Sequence, residues 1–205
     1  MANPVTRFAC KMQQTLDMTR CAEGLAPLLL RLYLAPVLMQ AGWNKLSYFE
    51  DTAAWFGNPE WGLGLPFPEL MTALAAGTEF FGAILLIVGL GVRWISIPLM
   101  VTMLVAAFAV HWPNGWLAIT DASSWLANDR VMEASERLAV VKNILREHGN
   151  YSWLTEHGSV AMLNNGIEFA ITYFVMLLSL FFTGGGRYFS LDYWIKRACT
   201  QKCSA

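Results

Sequence analysis

No run of Lys and Arg in this sequence is long enough to form a nucleic-acid patch, and a formal net charge of −1 offers phosphate backbones no counter-field. Nucleic-acid binding is therefore excluded. Histidine is scarce, with only His111, His148 and His157, and none pair at haem-ligand spacing inside an apolar stretch, so no haem is expected. Cysteine is scarce too, with Cys10, Cys21, Cys199 and Cys203 all near the chain ends and no C-x-x-C among them. Charge of either sign is thin at 14% of residues, and the segment from Ser47 to Glu69 has no basic residue at all.

What replaces charge is apolar surface. The chain of 205 residues is 56% hydrophobic and 13% aromatic, with a mean hydropathy of +0.41. That is too apolar for an ordinary soluble domain and describes an integral membrane protein in contact with lipids. Four stretches reach spanning length, about 25–43, 70–90, 94–112 and 163–183. The expected fold is all-α, a polytopic four-transmembrane-helix bundle forming a single membrane domain over 1–205, with an external amphipathic insert at about 113–162. The first apolar stretch begins at Leu25, is long enough to span and is followed by others, so it reads as a retained span and not as a cleaved signal peptide.

Orientation follows from the basic residues near the span ends. Arg7, Lys11 and Arg20 precede span one, Arg93 lies between spans two and three, and Arg187, Lys196, Arg197 and Lys202 follow span four. The opposite side carries Glu50, Asp51, Glu60 and Glu69, together with seven of the nine Trp residues, a type that collects at membrane interfaces. Both termini are expected in the cytoplasm, and the topology expected is that of a multi-pass membrane protein. Before span one, Val5, Phe8, Met12 and Leu16 recur at helical spacing, as in a helix lying on the membrane surface. In the external insert, Asn128 or Asp129 is expected to cap a helix running to Gly149, with Val131, Ala134, Leu138, Val141 and Leu145 on one face.

The polar residues of the spans are the candidate site. Arg31, Ala35, Leu38, Gly42 and Lys45 fall on one side of span one, with Gln40 off the stripe. Span two carries Glu79 near mid-membrane, with Thr78 and Gly82 as a small-xxx-small pair that admits a neighbouring helix. On straight helices Arg31 and Glu79 are offset by roughly 8 Å, so they are the expected ion pair. Span four carries Asn164, Asn165, Glu168, Thr172 and Ser179, a stripe expected to face inward, and His111 ends span three. Gln40, Lys45, Glu79, His111 and Glu168 group toward the outer half of the bundle. Such groups either fix helix packing and register, or mark a proton path or a pocket for a polar head such as a quinone ring. A His beside a carboxylate suits proton relay to a reduced quinone.

Metal binding has two weaker motifs. Cys199 and Cys203 share a helix face at i, i+4, and soft thiolates suit Cu(I) or Zn(II). Thiols in cytoplasmic tails stay reduced, so no structural disulfide is expected. Glu147 and Glu156 precede His148 and His157 at a spacing suited only to weak binding.

Taken together, the first span LLLRLYLAPVLMQAGWNKL with Arg31, Gly42 and Lys45, then Glu79 with Gly82, then HWPNGW, resembles the DoxX-like family of small four-span bacterial membrane proteins. The insert from Asp121 to Met162 is similar to a branch found beside genes for copper-binding, ribosomally made peptides. The family resemblance implies an accessory subunit in quinone-linked redox metabolism that works with a protein partner. The branch resemblance implies a scaffold or transport partner for a copper-binding peptide under copper stress. Quinone and copper are the cofactors these readings carry, and a homo-oligomer is compatible with both. No catalytic residue carries over from the family.

Overall fold

A computed structural model describes residues 3–203. They form an all-helical chain, and the protein is a multi-pass membrane protein: among the described residues three helices are long and apolar enough to cross a bilayer, over Leu25–Ser47, Pro68–Val88 and Val92–Asn114. The backbone forms two compact units, Met1–Met100 with Met176–Ala205, and Val101–Val175.

In the first unit, α1 (Pro4–Asp17) is capped by the Asn3 side chain, which accepts from Val5 N–H. Its apolar stripe Val5, Phe8, Met12 and Leu16 is exposed along its length, as expected of a helix seated on a membrane surface. A 3₁₀ turn over Met18–Ala22 leads to α2 (Leu25–Ser47). Helix α2 buries Pro27, Arg31, Leu34, Ala35, Leu38 and Gly42, the face that the sequence spacing predicts. Helix α3 (Phe49–Gly57) follows the end of α2 and packs on the helix that begins at Pro68, after an ordered turn. In that turn, Asn58 accepts from Glu60 and Trp61 N–H through its side chain and from Gly62 and Gly64 N–H through its carbonyl.

Helix α4 (Pro68–Val88) runs antiparallel to α2. A Cβ at Gly42 would come within 2.6 Å of Phe80 N and 2.9 Å of the Ala76 carbonyl oxygen, so the two backbones touch there and only glycine fits. Gly82 instead faces the side chains of Ile95 and Leu99 of α5 (Val92–Val105). The core of this unit is Leu34, Leu38, Ala76, Leu86, Leu99, Leu177 and Leu180, all buried. Its chain ends in α9 (Leu191–Cys203).

In the second unit, the helix begun as α5 changes to a π-helical segment over Ala106–His111 and a 3₁₀ turn over Trp112–Asn114. Helix α6 (Asp129–His148) starts where expected, with the Asn128 side chain accepting from Val131 N–H, and it buries Val131. Helix α7 (Tyr151–Leu154) is a single turn. Ala107, Ile167 and Ala170 form a small core.

The fourth apolar stretch differs from expectation. Its helix, α8, covers only Glu168–Thr183, and 16 residues rise roughly 24 Å, short of a typical bilayer core. Asn165 has a φ of 59°, in the left-handed region that breaks a helix and that Asn tolerates better than most residues. The stretch from Leu163 to Ile167 spends its backbone groups on the 115–118 segment instead of on a helix. The polar stripe does not face inward as a whole, since Thr172 and Ser179 are exposed and only Asn164 is buried.

Candidate functional site

The Gly42 contact sets the register of the intramembrane charges. With Gly42 opposite Ala76 and Phe80, Lys45 lies one turn beyond and reaches Glu79, its Nζ 2.6 Å from Glu79 Oε2. The Glu79 residue is 5% exposed, while the Lys45 side chain, reaching back from one turn further along α2, is 27% exposed. A short, charge-assisted hydrogen bond of this kind is what an acid in an apolar helix pair requires, because an isolated carboxylate at that depth is very costly. Trp43 and Phe80, with ring centroids 6.0 Å apart, lie beside the glycine contact.

The expected pair of Arg31 with Glu79 does not form. The same antiparallel register that aligns Gly42 with residues 76–80 carries Arg31, eleven residues back along α2, to the level of Gly89. Glu79 is then roughly 15 Å away along α4. Arg31 is fully buried, and its Nη2 donates to the Phe189 carbonyl at 2.7 Å. Its Nη1 lies where a side chain at Gly89 would be, and among the described residues Nε and Nη1 have no hydrogen-bond partner. The acid nearest in effect is Asp192. Asp192 accepts from Gly91 N–H at 2.7 Å and from Val92 N–H at 3.0 Å, while its own N–H donates to the Gly89 carbonyl at 3.1 Å. The carboxylate therefore caps the start of α5. Asp192, Phe189 and Gly89 are the partners that sequence reading missed; the clue was an acid one residue into a helix after a glycine-rich turn.

Gln40 is exposed, and its amide donates to the Asn44 side chain at 2.8 Å, so it takes no part in the polar interior.

In the second unit, His111 and Glu168 sit on a clasp between two backbone segments. The N–H groups of Asn164 and Asn165 donate to the Ala118 carbonyl, that of Gly166 to Leu117, that of Ile167 to Gly115 and that of Glu168 to Trp116. The Glu168 carboxylate returns the contact by accepting from Ala118 N–H at 2.9 Å. Asn164, which is buried, donates its amide to the carbonyls of Asn114 at 2.8 Å and Leu117 at 2.7 Å, and its side-chain oxygen accepts from Arg130 Nε at 3.3 Å. The Asn165 carbonyl receives two donors, Asn114 Nδ2 at 3.0 Å and His111 Nδ1 at 2.9 Å. A carbonyl can only accept, so the proton of a neutral His111 is on Nδ1 and its Nε2 is left basic. His111 is also the last residue of the π-helical segment, a geometry frequent at functional positions and one that sequence periodicity cannot reveal.

Among the described residues no three His, Cys, Asp or Glu side chains come together. Cys199 is an exposed free thiol, and the side chain of Cys203 lies outside the described residues. His148 has only its neighbour Glu147, at 3.8 Å.

Residues 26–112 match the family model of DoxX. The matched stretch holds Arg31, Gly42, Lys45, Glu79 and His111; Glu168 and the insert lie beyond it. No curated protein and no solved structure matches the chain.

Proposed function

We propose that this protein is a DoxX-type subunit of the bacterial inner membrane, with both termini cytoplasmic, that acts as a non-catalytic scaffold for a partner. The observation that carries this reading is the closed contact between α2 and α4. Gly42 brings the backbones together, and the Lys45 to Glu79 bond at 2.6 Å engages the carboxylate buried there, which supports a structural role for Glu79. Charges held this way fix helix register. The partner surface is the insert, where α6 leaves Met132, Val140 and Ile144 exposed. Its partner class, by the resemblance of the insert, is a copper-binding ribosomal peptide or the machinery that matures it. The partner, and not this chain, then supplies the copper ligands.

The test is purification of the full chain in mild detergent, followed by lipid extraction with mass spectrometry for quinone and by elemental analysis for copper. The scaffold reading expects neither at stoichiometric level in the chain alone. It also expects Val140→Glu with Ile144→Glu to abolish co-isolation of the partner without changing the melting temperature. Stoichiometric quinone that disappears in Glu79→Gln would overturn it.

A quinone-linked redox subunit is the second reading, favoured by His111. The Nδ1 bond to Asn165 orients the ring at the end of a π-helical segment and leaves Nε2 as a proton acceptor for a reduced quinone. Loss of quinol-oxidising activity of the membrane assembly in His111→Gln, with the fold intact, would favour this second reading over the first.

A further inference from the structure

In the first unit the starts of α2, α5 and α9 and the turn Gly184 to Gly186 enclose a cleft of about 700 Å³. Three cations line it, Arg93, Arg187 and Lys196, against two acids, Glu23 and Asp192. Both acids are already engaged. Glu23 accepts from Arg187 at 2.8 Å, and Asp192 accepts from the N–H groups of Gly91 and Val92. Arg93 and Lys196 have no acid bonded to them among the described residues. Arg93 is held in place, its Nε donating to the Phe181 carbonyl at 2.9 Å and its guanidinium lying 5.6 Å from the Phe181 ring centre, so its terminal nitrogens are positioned without being neutralised. The lining is net positive, three cations against two acids, with Arg93 fixed in orientation, and such a cleft suits an anion.

The wall of the cleft at Ala26 is also the wall of a second cavity, a groove of about 570 Å³ lined by Leu29, Leu30, Leu32, Tyr33 and Met176. That groove is apolar and runs along the membrane-facing part of α2. The polar cleft and the apolar groove thus meet at one residue, at the level where α2 enters the membrane. Trp94, which is 80% exposed on the rim, is a residue type that sits at this depth.

We propose that cleft and groove form one site for an anionic phospholipid, with the phosphate on Arg93 and Lys196 and an acyl chain along Leu29 and Met176. A free phosphate would need the cleft alone, and a zwitterionic lipid brings a headgroup cation that offsets its phosphate and is repelled by the positive lining. The site does not depend on whether the protein acts as scaffold or redox subunit, because it uses none of the residues of either reading.

The experiment is native mass spectrometry of the full chain released from mild detergent, titrated with phosphatidylglycerol, phosphatidylcholine or inorganic phosphate. One basic group near an anionic lipid changes binding by about fivefold. The wild type should therefore prefer phosphatidylglycerol over phosphatidylcholine by about 25-fold for two such groups. Arg93→Gln with Lys196→Gln should bring the two lipids to parity, Arg93→Lys should keep most of the preference, and Leu29→Trp, which fills the groove, should weaken both lipids together. Should the double variant fail to fold, Lys196→Gln alone should lower the preference by about fivefold. Equal binding of the two lipids by the wild type would overturn the proposal, as would a preference that survives the double variant. Displacement of phosphatidylglycerol by equimolar inorganic phosphate would overturn it in favour of a soluble anion.

Discussion

Lys45 Nζ donates to Glu79 Oε2 at 2.6 Å, one helical turn from the point where Gly42 lies against the α4 backbone. The pair is asymmetric: Glu79 is nearly enclosed, whereas the Lys45 side chain is partly exposed. Removing Lys45 strands a buried acid, and removing the Glu79 charge leaves a cation that can extend outward. Lys45→Met is expected to cost about 3 kcal/mol, Glu79→Gln distinctly less, and Lys45→Met with Glu79→Leu to recover most of the loss. Unfolding in detergent, followed by circular dichroism, measures all three. Equal costs for the two single variants would contradict the asymmetry.

Gly89 and Gly91 both have left-handed backbones, with φ of 73° and 60°, yet they face different surroundings. A side chain at Gly89 would overlap Arg31 Nη1 and crowd Ser190, while one at Gly91 would meet nothing within 4 Å. Gly91→Ala should cost only the backbone term, about 1 kcal/mol. Gly89→Ala should cost several times that, because it expels a buried guanidinium from its only bonded carbonyl. Thermal melting of the two variants side by side decides the point.

Asp192 caps α5 from a distant part of the chain. Asp192→Ala should lower stability by about 1–2 kcal/mol, the cost of a lost helix cap. Hydrogen exchange should then accelerate at Gly91 and Val92 first. Unchanged exchange at those two amides would argue against the cap.

The clasp of the second unit depends on a glycine and an asparagine. A Cβ at Gly166 would meet the carbonyl oxygens of Gly115, Trp116 and Leu117 at 2.5 to 2.6 Å, all of them backbone atoms. Asn164→Ala should cost about 2 kcal/mol by removing two buried hydrogen bonds, to the Asn114 and Leu117 carbonyls, and Gly166→Ala should cost at least as much, with limited proteolysis opening first between 113 and 128.

Asp121 lies in the loop before α6 and accepts from the Ser123 hydroxyl and N–H, which holds its carboxyl below the usual range. A carboxyl lowered on folding contributes stability above its unfolded pKa, and this is lost as pH falls through the folded value. Ser123→Ala should move the Asp121 titration upward, read by carbon NMR of the side chain.

Local chemistry made several features legible before any tertiary contact was known. Hydropathy located the apolar stretches, the 3.6-residue period selected the buried face Arg31, Ala35, Leu38 and Gly42, and Asn128 announced the start of α6. These depend on near neighbours in the chain, so sequence carries them. The pairing of charges was not legible in this way, because it depends on the axial stagger of two helices. That stagger is set by a backbone contact at Gly42, and a shift of a few residues decides whether Glu79 meets Lys45 or Arg31. The span read from Leu163 takes in Asn164, Asn165 and Gly166, a turn-prone run, and the stretch from Leu163 to Ile167 unwinds. Carbonyls of the 115–118 segment, brought close only by folding, supply its N–H groups with better partners than a helix would.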